Sequence, residues 1–381
     1  MFDVYYYDSI SSTTPRLLHS SRSRGNSILS GVIKEELNTV STFSFALSSS
    51  NSLFRQIDPF KGIVQVVNPM NGEEIFFGRI LKPTTSMSSQ GTFTQSFIAE
   101  SPLSFLHDSV QRYRRYTTYL GERDMVHEIL SEHNNRVESG KEFTTGNIDI
   151  IDSNPPDITY IAFESSFDAM TKRLERLGGY VKVSRDSGRW RLDWTREVGE
   201  EKTTPIKLGI NLKSASRSNE FEGIATRFIP LGQEVGEYWG DEGAIRERFK
   251  LSDAAGIDVD YIQDDELVER FGIIERTEIY DDVKTKDALL DKAYAFFQKQ
   301  LKYLTSWQID LVDLSYIDPT KERFVVGDYY PVESPPMSDI EMVQITSKET
   351  DIMQPHAIKV TIGAFNNAIS RYYTETKRRG S

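Results

Sequence analysis

The sequence predicts an α+β multidomain protein: two antiparallel β-barrel domains with mixed α/β segments beside them. Three observations carry this. Residues 1–108 read as short strands separated by turn signals. Helical periodicity appears only after them. Two later β-rich stretches are each too short to close a barrel, but together they would make one. At 381 residues the chain has room for two to four domains.

In the first block, residues 32–47 end in the alternation Phe43, Phe45, Leu47, one face of a strand. GIVQVV at 62–67 and EEIFFGRI at 73–80 flank the turn NPMNG and form a hairpin. TFTQSFIAE at 92–100 alternates Phe93 with Phe97. From Ser101, SPLSFLHDSVQRYRRY has a capping serine, an early proline and helical spacing, which predicts a helix. Residues 124–137 predict another, with Met125, Val126, Ile129 and Leu130 on one stripe. Residues 165–179 predict a third, with Phe167, Met170, Leu174 and Leu177 inward and Gly178-Gly179 as its stop. A hairpin at 180–194 sets Trp190, Leu192 and Trp194 at period two.

Residues 206–231 return to β, as IKLGINLK, a polar tip and IATRFIPL. The stretch 234–287 carries 17 acidic and 7 basic residues, a net of −10. Residues 284–304 are the strongest helix pattern, with Leu289, Leu290, Ala293, Phe296, Phe297, Leu301 and Leu304 on a broad stripe. Strands are then expected at 307–314, 324–332, 340–351 and 356–363. The expected domains are a first barrel at 1–108, a mixed region of 109–203 with 235–304, a discontinuous second barrel of 204–234 with 305–365, and an exit segment at 366–381.

Composition narrows the chemistry. With 45 basic and 57 acidic residues, the net charge of −12 argues against a chain whose task is to grip nucleic acid. The absence of cysteine removes disulfides, thiolate catalysis and thiolate-bound metals. No apolar run is long enough for a transmembrane helix, and no secretory signal pattern opens the chain. His127 and His133 stand six apart, whereas zincins need four, so both are expected to be solvated helix residues. Asp258, Asp260, Asp264 and Asp265 lack the oxygen and glycine that an EF-hand loop needs at positions five and six, so they read as an acidic surface. There is no phosphate-binding loop and no nucleophile elbow. Arg112, Arg114, Arg115 and Arg123 interleave with Tyr113, Tyr116 and Tyr119. That pattern suits either a nucleic-acid strand or, better in so acidic a chain, an interdomain or subunit surface.

Several blocks, in this order, resemble one family. They are GVIKEELNTVSTFSFAL at 31–47, GEEIFFGRILKP at 72–83, FIAESPLSFLHDS at 97–109 and the helix–hairpin at 165–194. GINLKSASRSNEFEGIATRFIPLGQ at 209–233, RFGIIERTEIYDDVKTKDALLDKA at 270–293, DLVDLSYIDP at 310–319 and FVVGDYYPV at 324–332 follow. Nearly the whole chain thus resembles the tail-associated prophage endopeptidase tail proteins, which are similar in turn to baseplate hub proteins of contractile-tailed phages. Phe271 stands where that family's pattern leads one to expect tyrosine.

The resemblance implies two tube-type barrels per subunit and a homotrimeric hub whose six barrels match sixfold tube rings. Such a ring would close the tail tube in the virion and open for DNA ejection. Its partners would be the distal tail protein, the tube rings and the tape measure protein, with DNA only in transit and no membrane insertion by this chain. It would be made in the bacterial host cytoplasm. In longer members of the family a peptidase or other wall-degrading activity sits in an appended C-terminal domain. This chain stops soon after the strand at 356–363, so no catalytic, cofactor-binding or metal residue is transferred, and no cofactor is expected. A peptidoglycan hydrolase and a host cell-wall adhesin are the rival readings.

Overall fold

The computed structural model describes residues 2–23, 26–152, 155, 158–186, 188–216, 224–240, 243–253, 259–305, 307–318, 320–333 and 342–364. The chain divides into two compact units, Met1–Ser216 with Gln308–Ile362, and Arg217–Trp307 with Gly363–Ser381. The segments 109–203 and 235–304, grouped above as one mixed region, fall in different units.

The first unit opens with β1 (Asp3–Tyr7), β2 (Arg16–His19), β3 (Ser30–Glu36), β4 (Thr42–Ser48), β5 (Ile63–Val67), β6 (Glu74–Ile80), β7 (Thr84–Met87) and β8 (Phe93–Glu100). A mixed segment follows: β9 (Arg114–Tyr116), α1 (Glu122–Asn134), β10 (Phe143–Ile148), β11 (Thr159–Ile161), α2 (Ser166–Leu177), β12 (Tyr180–Asp186) and β13 (Arg189–Thr195). β14 (Leu212–Ser216) leads into the second unit, with β15 (Arg227–Leu231), β16 (Glu234–Gly240), β17 (Gly243–Arg248), β18 (Ile262–Gln263), α3 (Asp265–Phe271), β19 (Glu275–Ile279) and α4 (Lys286–Thr305). The chain returns to the first unit through β20 (Trp307–Val312), β21 (Tyr329–Pro331), β22 (Met342–Asp351) and β23 (Ala357–Ala364).

One 13-stranded sheet organises the first unit, in the order β14-β20-β23-β22-β3-β4-β8-β6-β5-β1-β2, with β21 added to β22 and β7 to β8. Its middle seam joins the two ends of the chain. β22 runs antiparallel to β3, with Ser347 opposite Glu36 and Asp351 opposite Val32. The strand alternation read from the sequence holds: Phe43, Phe45 and Leu47 are buried in one core with Phe76 and Phe97. The rings of Phe43 and Phe45, and of Phe45 and Phe97, stack at 5.0 Å between centroids. Ile352, just past β22, is buried in that same core.

The mixed segment has its own core. Met125, Val126, Ile129 and Leu130 from α1 meet Ala169 and Met170 from α2 and Trp190, Leu192 and Trp194 from β13. The α2 boundaries are as expected. Ser165 accepts a hydrogen bond from the Asp168 N–H at 3.0 Å, and the Gly178 N–H donates to Leu174 O at 2.7 Å. The tryptophans keep their ring N–H groups satisfied, Trp190 on Gly140 O and Trp194 on Gly178 O, both at 2.9 Å.

In the second unit, β15 pairs antiparallel with β18 and parallel with β19. α4 buries Leu289, Leu290, Ala293 and Phe297, and the Phe296 ring stacks on Phe228 at 4.0 Å. β15 had been grouped with the second barrel, but its backbone ladder is satisfied here, within the 217–307 unit.

Four readings need correction. The helix expected from Ser101 is a 3-10 segment, Pro102–Asp108, followed by the strand β9. Residues 102–106 are all buried, so they have no polar face, and the Ser101 hydroxyl accepts from the Ser41 N–H at 3.1 Å and caps nothing. IKLGINLK is largely a turn: Gly209 takes φ +80°, and the Asn211 amide bonds Lys207 N and Pro205 O at 2.8 Å each. In 324–332 only Tyr329–Pro331 is a strand, because Gly327 turns the chain at φ +98°. His133 is not solvated, as set out below. The polar tip at 217–223, Asp258, and the exit segment at 366–381 lie outside the described residues, as do the side chains of Leu301 and Leu304.

The link from the mixed segment to β14 is clipped onto β21. Glu200 N donates to Asp328 Oδ1 at 3.0 Å, Tyr329 N to Glu200 O at 2.9 Å and Lys202 N to Tyr329 O at 2.8 Å. Gly199 makes this approach possible: at φ +92°, a Cβ there would lie 2.0 Å from Gly327 O. Gly199→Ala should therefore lower stability by about 2–4 kcal/mol, read as a drop in the thermal unfolding midpoint. An unchanged midpoint would refute the clip.

Candidate functional site

The chemistry-bearing residues of the first unit gather in the mixed segment. α1 and α2 are joined by a buried ion cluster. The Glu122 carboxylate, fully buried, accepts Arg173 Nε at 2.8 Å and Arg173 Nη2 at 2.9 Å. Arg176 reaches Glu122 at 3.7 Å and Asp152 at 2.6 Å. Bidentate geometry of this kind offsets the desolvation of both ions. A second cluster ties β9 to α1: Arg114 bonds Glu128 at 2.5 Å and Glu132 at 2.7 Å, and Arg136 also pairs with Glu132. Hydrogen bonding from Arg136 holds the Glu132 carboxyl below the usual range. A third joins β6 to the loop before β10, with Asp108 taking Arg79 at 2.5 Å and Lys141 at 2.9 Å. For Asp108, desolvation by burial is the largest influence and acts upward, but the hydrogen bonds and charges of Arg79 and Lys141 together hold its carboxyl below the usual range.

Among the described residues, His133 and Ser109 make an arrangement that looks nucleophilic. The Ser109 hydroxyl and His133 Nδ1 are 2.7 Å apart, and His133 Nε2 lies 3.0 Å from Lys141 O. A carbonyl only accepts, so Nε2 carries the proton and Nδ1 accepts from Ser109. Ser109 Oγ is 2.6 Å from Ser166 Oγ, and Gln111 Nε2 donates to Ser166 Oγ at 2.6 Å and to Ile129 O at 3.0 Å. Each group is satisfied and sealed: His133 and Ser166 are 0% exposed and Ser109 and Gln111 2%. A substrate carbonyl has no way to the hydroxyl, and a backbone oxygen holds the place that a triad gives to a carboxylate. The pair is a core hydrogen-bond network, which sequence spacing could not reveal because its members come from three separate segments.

An open cleft of about 630 Å³ lies between α1 and β10, lined by Arg123, His127, Asn134, Glu142, Thr145 and Arg189 among others. Its groups largely hold one another. Arg189 pairs with Glu142 at 3.1 Å, Arg123 donates to Gly146 O at 3.2 Å, and the Asn134 amide bonds both Phe143 N and Phe143 O. The exposed His127 sits 3.3 Å from the Thr145 hydroxyl. Among the described residues no group of three or more His, Asp or Glu could hold a metal. Asp264 caps α3 through the Leu267 N–H at 3.0 Å.

The Arg/Tyr segment is split between inside and outside. β9 pairs with β11 as a two-stranded ribbon, with Tyr160 opposite Arg115 and Ile161 opposite Arg114. The inner face carries Arg114, Tyr116 and the buried Ile161; Tyr113, Arg115 and Tyr160 are exposed. Tyr119 bonds Glu122 at 3.5 Å.

This fold is that of a β-rich protein, organised around the 13-stranded sheet. The model of the prophage endopeptidase tail family matches residues 200–373, and the resemblance drawn from the sequence blocks is borne out. No curated protein matches the sequence. Among solved structures, the chain is similar to a 43 kDa tail protein of prophage MuSo2 from Shewanella oneidensis, with TM-score 0.65, 13% identity and coverage of 96% of this chain and 98% of that one. A tail protein from Neisseria meningitidis gives TM-score 0.58 and 11% identity, covering 95% and 96%. An E. coli component of the type VI secretion system, itself described as structurally similar to T4 bacteriophage tail proteins, gives 0.51 and 12%, covering 89% and 74%. The chain has the fold of phage tail and baseplate hub proteins. No described helix is long and apolar enough to cross a membrane.

Two outcomes follow from this chemistry. Glu122→Ala strands the guanidinium of Arg173, 8% exposed, and should cost about 3–5 kcal/mol in chemical denaturation; a smaller loss than an exposed-residue control would refute the clamp. Burial pushes the imidazoles of His133 and His19 below the ordinary value of 6.5. The unfolded chain then binds protons that the folded chain refuses, so this stability is present above pH 6.5 and is lost progressively as the pH falls below it. Denaturation midpoints should drop over that range, and His133→Gln should flatten the slope.

Proposed function

We propose that the chain is a structural subunit of a phage tail-tip or baseplate hub, three copies of which form a ring that closes the tail tube and opens for DNA ejection. The observation that carries this reading is the composition of the 13-stranded sheet. Eight of its strands, β1–β8, come from the first hundred residues, and five, β14 and β20–β23, from residues 212–364. These are the two β modules of one subunit. Three subunits then present six modules to a sixfold tube ring, and a closed ring uses heterologous contacts of this kind. The match of residues 200–373 to the tail family and the likeness in fold to tail proteins support the same reading. The distal tail protein, the tube rings and the tape measure protein are its partners, and DNA is cargo in transit. Carboxylates in excess suit a passage that must not hold phosphates.

Negative-stain imaging with light scattering of the purified protein tests this: a threefold particle with a central hole is expected, at a mass near three times 43.6 kDa. Monomers at all concentrations, also with a tube ring added, would refute it. The sealed Ser109–His133 network leads to a further expectation, that peptidoglycan incubated with the chain releases no muropeptides.

A further inference from the structure

The β9–β11 ribbon breaks the usual pattern of a surface ribbon. An antiparallel pair packed on one side turns polar residues to the solvent. Here the solvent side carries Tyr113 at 59% exposure, Ile158 at 45% and Tyr160 at 67%, with the exposed Arg115 opposite Tyr160. Just past the ribbon, Phe163 is 67% exposed and held at φ +54°, a conformation that non-glycine residues rarely adopt. Tyrosine and arginine around an apolar centre are the composition of interface hot spots. Arg114, on the inner side, is consumed by Glu128 and Glu132. Arg115 makes no ion pair among the described residues.

Charge decides what covers this face. A twofold contact of the ribbon with itself would set Arg115 and Arg112 of one copy against those of the other. The rest of the chain is acidic, −12 overall and −10 over residues 234–287. The complementary surface is therefore a different face of another copy, a heterologous contact that propagates into a ring.

We propose that the outer face of the β9–β11 ribbon, through Tyr113, Arg115, Ile158 and Tyr160, is the contact by which one copy of this chain docks on an acid-rich surface of the next; this rests on the trimeric reading above. The aromatic rings supply the buried area, and Arg115 supplies orientation and salt sensitivity.

The test compares wild type, Arg115→Glu and Tyr160→Ser by light scattering over a dilution series at low and high salt. Both side chains are exposed, so far-UV circular dichroism and the thermal midpoint of the dissociated subunit should stay unchanged. The proposal expects a wild-type trimer that weakens with salt, and a trimer dissociation constant raised at least tenfold in each variant. Variants that remain trimeric would overturn the ribbon contact and leave the trimer standing. A wild type that is monomeric throughout would overturn both. Loss of single-stranded oligonucleotide binding in Arg115→Glu, with the trimer intact, would assign the face to nucleic acid and overturn the proposal as well.

Discussion

The ladder between β3 and β22 is the constraint on which the first unit depends. It joins strands more than three hundred residues apart, and the sheet on either side of it would otherwise end in two open edges. Its packing is close. A Cβ on Gly31 would meet side-chain atoms of Ile28 and Ile352 at 2.8 Å, so a larger residue there would force those side chains to shift. Lys348 crosses the seam almost wholly buried. Its amine pairs with Glu35 at 2.8 Å and donates to Phe324 O at 3.3 Å. A buried ammonium without those partners would oppose folding, so the pair specifies register as well as contact. Because this seam unites chain ends, the loop between them can carry a whole second unit without breaking the sheet.

The mixed segment solves a different problem. Its helices are short, and its hydrophobic core is supplemented by ionic clamps that pair Glu122 with Arg173, Glu132 with Arg114 and Asp108 with Arg79. The same economy explains His133. Desolvation disfavours its charge, while the Ser109 hydroxyl and Lys141 carbonyl fit the neutral ring. Functional chemistry needs an accessible and imperfectly satisfied group. On the outer side of the β9–β11 ribbon the exposed groups include Tyr113 and Tyr160, an aromatic surface of the kind that marks interaction sites.

Much of the architecture was legible in the residues. Period-two runs placed β4, β8 and β13, because one buried face imposes alternation. The end of α2 was legible because Gly178 acts locally. The segment from Ser101 misled because a run buried on every side carries no periodic signal, and a capping serine can be drawn off by a distant backbone. IKLGINLK and FVVGDYYPV misled because apolar residues suited to strands line turns that glycine makes.

By itself the sequence determined the β-rich class, the strong helices, the exclusion of thiol chemistry and the resemblance to tail proteins, since these rest on composition, local periodicity and the order of blocks. Only the tertiary structure decided that the two ends of the chain share one sheet, that His133 is sealed beside Ser109, and that Arg114 and Arg115, neighbours in sequence, face opposite ways. Pairing across hundreds of residues and burial by distant segments leave no mark on local pattern, because their free energy is set by contacts that exist only once the chain has closed.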